Sequence, residues 1–327
     1  MSETTGQDLE SKLLVFGGSA NHELAQEIAD YLDVPLSPSV SRKFANDDFY
    51  VHLGVSVRGK DVFIVQPISP PCSDNLMELF FMMDIARGAG AKAVHAVIPY
   101  YSYARSDKKD APRISIGARL VADLLATSGA THVVTMTLHS PQVHGFFSMP
   151  TDHLTAHSVF IKHLQGQDLS NAVVLSPDIG HAKRASKLAK SLGLPMAAGE
   201  KRRVGDQCVA IDGVMGDVQG KRVLLIDDEI ATGGTIAEMS MFLRTQGVKH
   251  ITVLGTHGLF VGDAVSRLNA VDEIDEIVVT NTVSIPEERR PERLTILSVA
   301  RIFGEVIRCN VMGHSVGALF EFWPMPK

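Results

Sequence analysis

Three pieces of the first half of the chain return in the second half. ELAQEIADYLDVP at 23–35 is matched by RASKLAKSLGLP at 184–195, each a helical pattern closed by an apolar residue and a proline. VRGKDVFIVQPIS at 57–69 is matched by VQGKRVLLIDDEI at 218–230, and GAKAVHAVIPY at 90–100 by GVKHITVLGTH at 247–257. An offset held near roughly 160 residues across a helix and two strands is the mark of one α/β unit present twice. Apolar runs alternating with helical patterns and short turns point, in both copies, to a mainly parallel sheet flanked by helices. With 327 residues, 45% of them hydrophobic, each copy can bury a core of its own. The boundary is expected near 150–156, which divides the chain into domains 1–153 and 154–327.

The copies differ at one place. In the second, VLLIDDEIATGGTI (223–236) sets an apolar run against two carboxylates and then a Thr-Gly-Gly-Thr turn. Val223–Ile226 reads as a strand buried on both faces and is expected to stop at Asp227. Asp227 and Asp228 then stand at the carboxyl end of a strand, where open α/β sheets bind ligands. Ala231, Thr232, Gly233, Gly234 and Thr235 let backbone N–H groups approach an anion, and IAEMSMFLRTQG continues as a helix. The carboxylates would repel a phosphate, so they suit vicinal hydroxyls or a divalent cation. One small molecule that offers a diol and a phosphate together is a ribose 5-phosphate. Opposite this stretch the first copy has QPISPPCSDN, with prolines in place of the Gly-Gly pair, so only the second copy keeps an anion loop.

Composition removes several classes of partner. The net charge is −6 and no basic run exceeds the three residues of Lys201-Arg202-Arg203, which argues against nucleic acid. Apolar runs stay at about ten residues or fewer, short of the roughly 20 that span a bilayer, and the polar MSETTGQDLESK is unlike a signal peptide, so a cytoplasmic protein without a membrane partner is expected. Cys72, Cys208 and Cys309 have no CxxC spacing and suit neither a disulfide framework nor a zinc site.

IDDEIATGGT resembles the phosphoribosyl-diphosphate signature of the type I phosphoribosyltransferase fold. The wider chain resembles the ribose-phosphate diphosphokinases, also called phosphoribosyl pyrophosphate synthetases. The likeness runs through GSANHELAQEIADYL, SPPCSDNLMELFFMMDIAR, IPYYSYARSDKK, LHSPQVHGFF, SPDIGHAKRA, EKRR, THGLF and VVTNT. A duplicated phosphoribosyltransferase-type domain with one intact loop is the arrangement of that family. The resemblance implies transfer of the diphosphoryl group of ATP to the C1 hydroxyl of ribose 5-phosphate, giving phosphoribosyl diphosphate and AMP for nucleotide biosynthesis.

By the same resemblance Asp227 and Asp228 hold the ribose hydroxyls, and residues 231–235 hold the 5-phosphate. Lys201 and Arg203 belong to a loop that closes over the transferring group, with Glu200 where the family usually has Asp. Mg²⁺ is the implied cofactor, since ATP phosphates supply most of its ligands. His139 and Asp178 match metal-associated positions, and His139 also an ATP contact, whereas His144 reads as structural. Where the family commonly reads MDLH this chain has Met136-Thr137-Leu138-His139. Arg105 matches a triphosphate-binding arginine, with Ser106 where Gln is common and Lys108 where Arg is common; Lys keeps the charge but loses the bidentate fork. RKFANDDFYV matches a hairpin that completes a neighbouring subunit's adenine site, with Phe44 for the base and Asn46 and Asp48 at its usual Asp and Glu positions. A homo-oligomer follows, in the family a hexamer built from dimers. Phosphate and ADP are the family's effectors, at a site that includes Ser-Val-Ser. Ser315-Val316-Gly317-Ala318 lacks the second hydroxyl, which should weaken that site by about 0.5–1.5 kcal/mol per lost hydrogen bond.

Two other readings are open to the sequence. A non-catalytic homologue that regulates an active synthetase would explain Asn46, Ser106 and Thr137, but leaves the retained Lys201, Arg203, Asp227 and Asp228 without a purpose. A phosphoribosyltransferase acting on a base would not need the second domain.

Overall fold

The structure, a computed structural model, describes residues 9–203 and 209–317, with the side chains of 201–203 and 209–210 outside that description. The chain divides into two compact units after Thr155. In the first, chain order is β1 (Leu13–Gly17), α1 (His22–Leu32), β2 (Leu36–Ser37), β3 (Ser39–Lys43), β4 (Phe49–Leu53), β5 (Asp61–Val65), α2 (Cys72–Gly88), β6 (Ala93–Ile98), α3 (Gly117–Ser128), β7 (His132–Met136) and β8 (Thr151–Leu154). Six of these strands form a parallel sheet in the order β2-β1-β5-β6-β7-β8, and β3 and β4 make a separate antiparallel hairpin. β5 and β7 are buried at every position, as central strands of a sheet covered on both faces should be, and they take Asp61, His132 and Thr135 into the interior with their apolar residues.

The second unit continues with α4 (His157–Leu164), β9 (Ala172–Ser176), α5 (Ala182–Leu192), β10 (Met196–Arg203), β11 (Val209–Met215), β12 (Arg222–Ile230), α6 (Gly234–Thr245), β13 (His250–Gly258), α7 (Ala264–Asn269), β14 (Ile274–Thr280) and β15 (Leu294–Leu297). Its sheet runs β11-β10-β9-β12-β13-β14-β15, parallel except where β10 and β11 form an antiparallel pair.

The units are not two consecutive segments, as 1–153 and 154–327 would have them. Residues 282–284 and the last helix, α8 (Ala300–Met312), belong to the first unit. The reason is apolar. Ala300, Phe303, Gly304, Val306 and Ile307 of α8 are buried, and α8 packs beside α1 closely enough that a Cβ on Gly304 would come within 2.3 Å of the Tyr31 ring. Asn310 adds a polar tie, its Nδ2 donating to Asp152 Oδ2 at 3.3 Å.

In each sheet two neighbouring strands send their following helices in opposite directions along the sheet, β1 and β5 in the first unit, β9 and β12 in the second. Such reversals open a crevice at the carboxyl ends of the strands.

Candidate active site

In the second unit the crevice lies where the sequence puts its acids. β12 does not stop at Asp227 but continues to Ile230, because β13 pairs with it as far as Ile230↔Gly258. Its pairing with β9 ends earlier, at Leu225↔Leu175, so Asp227 and Asp228 extend beyond the last β9 partner. The Asp228 side chain is 3% exposed. Arg184 Nη1 lies 3.7 Å and His181 Nε2 3.9 Å from Asp228 Oδ1. Asp228 N–H donates to Asp227 Oδ1 at 2.8 Å. Burial, then the neighbouring Asp228 carboxylate, raise Asp227 well above the usual carboxylate range.

Asp178 follows β9 and starts a 3-10 turn over Ile179–His181, accepting a hydrogen bond from His181 N–H at 2.9 Å through Oδ1. His181 Nδ1 is 3.2 Å from the same oxygen. The Asp178 carboxylate, against the opposing effect of burial, holds His181 above its ordinary value, with Asp228 adding to it.

In the candidate anion loop the carbonyls of residues 230–232 are taken up by neighbouring donors. Ile230 C=O accepts from Leu259 N–H at 2.9 Å, Ala231 C=O from Val261 N–H at 3.0 Å and Thr232 C=O from Arg267 Nη1 at 2.6 Å. Gly233 has φ +69° and is buried with a Cβ position 3.1 Å from Leu268 Cγ, so a side chain there would meet both strain and a neighbour. α6 makes its first helical bond from Ala237 N–H to Gly233 C=O, so the amides of its first turn have no intrahelical carbonyl to meet. Gly234 and Thr235 lie in that turn, where an anion also meets the positive end of the helix dipole.

The corresponding crevice of the first unit is filled from within. Gln66, which aligns with Asp227 in the repeat, is fully buried, and its Nε2 donates to Glu78 Oε2 at 2.8 Å. Glu78, on α2 and 1% exposed, also accepts from Ser19 N–H at 3.1 Å and from Ser19 Oγ. A Cβ on Gly18 would lie 2.2 Å from Gln66 Oε1. The Glu78 carboxylate thus ties the ends of β1 and β5 together, so the protein's own side chains fill this crevice.

The other candidates of the first unit sit on its strand ends and its hairpin. Arg105 closes a 3-10 turn after β6, and Lys108 is exposed three residues on. Ser106 Oγ accepts from Gly117 N–H at 3.0 Å and so helps hold the start of α3. His139 follows β7 and is partly buried, two residues after Thr137, whose φ of +46° is unusual for a β-branched side chain. His144 Nε2 lies 3.0 Å from Thr151 O, in keeping with a structural role. Phe44 is 49% exposed at the hairpin end, edge-on to Tyr50 at 6.0 Å, so it is not a core residue. Asn46 and Asp48 lie in the turn between β3 and β4, joined by Asn46 Nδ2 donating to Asp48 Oδ2 at 3.1 Å. Lys201 and Arg203 lie on β10, opposite Ile211 and Val209 of β11, beyond a bulge at Glu200/Lys201; their side chains lie outside the described residues. Ser315 Oγ accepts from Gly317 N–H at 3.1 Å, and Ala318 lies outside the described residues.

Sequence reasoning missed His181 and Arg184. Both stand in SPDIGHAKRA, and their spacing from Asp178 across the start of a helix was the available signal.

Residues 13–129 match the family described as the N-terminal domain of ribose phosphate pyrophosphokinase, and residues 205–321 that described as the phosphoribosyl synthetase-associated domain. A ribose-phosphate pyrophosphokinase of Deinococcus radiodurans is 49% identical over 315 residues, 95% of this chain and 98% of the relative. One from Synechococcus elongatus is 45% identical over 311 residues, 95% of this chain and 94% of the relative. The crystal structure of phosphoribosylpyrophosphate synthetase from Mycobacterium smegmatis superposes with a TM-score of 0.87 at 39% identity, covering 92% of this chain and 99% of that one.

Proposed function

The chain belongs to the ribose-phosphate pyrophosphokinase family, and from that premise we propose how its residues carry the transfer of the diphosphoryl group of ATP to the C1 hydroxyl of ribose 5-phosphate. The observation that carries the reading is the β9/β12 crevice, where two acids precede an anion loop in the order diol, then phosphate. Asp227 and Asp228 hold the ribose hydroxyls. Thr232, Thr235 and the amides from Ala231 to Gly234 receive the 5-phosphate.

The C1 oxygen attacks the β-phosphorus of ATP in line; the bond from that phosphorus to the α-phosphate oxygen breaks, and AMP leaves. Such transfers depend mainly on positioning and on neutralising charge at the phosphoryl oxygens. Lys201 and Arg203 supply that neutralisation, with Arg105, Ser106 and Lys108 on the ATP phosphates and Phe44, Asn46 and Asp48 reaching the adenine of a neighbouring subunit. The exposed Phe44 and the exposed apolar residues Met77 and Phe81 on α2 and Leu120 and Leu124 on α3 support a homo-oligomer, which we take to be the dimer-based hexamer. The nitrogen and carboxylate donors of His181, Asp178 and Asp228 at the crevice fit a divalent cation, Mg²⁺ in this proposal, and His139 and Asp178 are the metal-associated positions that the family resemblance implies. When bound, it would neutralise phosphate charge and make the β-phosphorus more electrophilic. None of the described helices is long and apolar enough to cross a membrane, and a cytoplasmic location goes with these substrates.

The test is AMP formation from ATP, ribose 5-phosphate and Mg²⁺ by the purified protein, beside Lys201→Ala. AMP with an equal amount of phosphoribosyl diphosphate, falling at least a hundredfold in the variant, supports the proposal. No AMP with ribose 5-phosphate still bound contradicts it.

A further inference from the structure

We propose that His181 is a nitrogen ligand of the divalent cation in the second unit, with Asp228 as its carboxylate partner and Asp178 orienting the imidazole. The inference rests on the reading that a cation works in this crevice, and concerns which ion the chain prefers.

His181 ends the 3-10 turn that Asp178 caps, and α5 begins immediately after it. This position holds the imidazole between two carboxylates on different strand ends. On one side Nδ1 is 3.2 Å from Asp178 Oδ1. On the other Nε2 is 3.9 Å from Asp228 Oδ1. The second distance is too long for a hydrogen bond. It is within the roughly 4.2 Å that can separate two ligands each about 2.1 Å from one ion. A carboxylate close to one ring nitrogen and a second carboxylate near the other is a setting in which a histidine can ligate a metal, the first carboxylate favouring the ring position. Arg184 Nη1, 3.7 Å from the same Asp228 oxygen, offsets part of its charge in this deeply buried place.

The consequence is chemical. Carboxylate and phosphate oxygens alone favour Mg²⁺, whereas an imidazole nitrogen raises affinity for transition ions, Co²⁺ more than Mn²⁺. The site is therefore tuned to bind Co²⁺ and Mn²⁺ more tightly than its carboxylates alone would.

Co²⁺ titration of the full-length protein without nucleotide, followed by visible absorption and calorimetry and repeated with Mg²⁺, tests this. We expect Co²⁺ to bind at least about tenfold more tightly than Mg²⁺. His181→Gln should lose about tenfold or more in Co²⁺ affinity with a changed absorption spectrum, and much less for Mg²⁺. His181→Asp, which keeps a ligand, should narrow the gap between the ions, and serves if His181→Gln does not fold. The exposed His250→Gln should leave both affinities unchanged. A spectrum and Co²⁺ affinity unmoved in both His181 variants would overturn the proposal, as would equal weakening of both ions. Binding is read without turnover: an inactive chain with His181-dependent Co²⁺ binding would contradict the synthetase reading alone, and an active chain with His181-independent binding this inference alone.

Discussion

Asp228 is held 3% exposed with Arg184 and His181 on one of its oxygens, so its charge is placed before substrate arrives. Asp228→Asn keeps the shape and removes the charge, and should lower kcat/KM by about a hundredfold, or ~3 kcal/mol of transition-state stabilisation, in a steady-state assay. Glu78 makes the opposite kind of use of a buried carboxylate. Glu78→Ala would leave the buried Gln66 amide with only the Asn75 carbonyl as acceptor and should cost about 1–3 kcal/mol in urea unfolding, without creating a second sugar-phosphate site. The acids and the Thr-Gly-Gly-Thr turn were legible in the sequence as one candidate site because they are contiguous, from Asp227 to Thr235. Glu78 was not, since it reads as one more position in the mostly apolar helix CSDNLMELFFMMDIARG and meets Gln66 only when α2 folds back over β5. His181 was hidden for the same reason: Asp228, its second neighbour, comes from another strand.

Among the elements, β6 and β7 of the first unit carry a buried polar pair. His95 stacks on Phe63 with centroids 4.1 Å apart, and its Nδ1 lies 3.1 Å from His132 Nδ1. Lys92, Asp61 and Asp152 are the charged groups around it. Burial, then His132, lower His95 to about 4 from the ordinary 6.5. Between those values the unfolded chain binds a proton that the folded form refuses, so stability falls as pH drops from 6.5 towards 4 and is unaffected by this group above 6.5. The loss attributable to His95 is at most about 3 kcal/mol. Urea unfolding across that range should show a shallower pH dependence in His95→Gln than in the parent; equal slopes would remove His95 from the explanation. Strand identities were readable from apolar runs, but the extension of β12 to Ile230 was not, because it depends on pairing with β13 rather than on its own sequence.

For the whole molecule, duplication accounts for the two parallel sheets but not for where α8 goes. Its amphipathic pattern shows that one face must be covered, and only the tertiary structure gives α1 as the cover. Phe303→Ala, at a fully buried position, should therefore destabilise the first unit by about 3–5 kcal/mol, although the residue is close in sequence to the second. The same duplication frames the central claim, that one copy binds the sugar phosphate and the other has filled its crevice with Glu78. Calorimetric titration of ribose 5-phosphate into the protein, with Mg²⁺ and an α,β-methylene analogue of ATP that cannot be cleaved, measures this directly. The account predicts one site per chain, abolished by Asp228→Ala and weakened by Gly233→Ala. Two sites per chain, or one that survives Asp228→Ala, would contradict it.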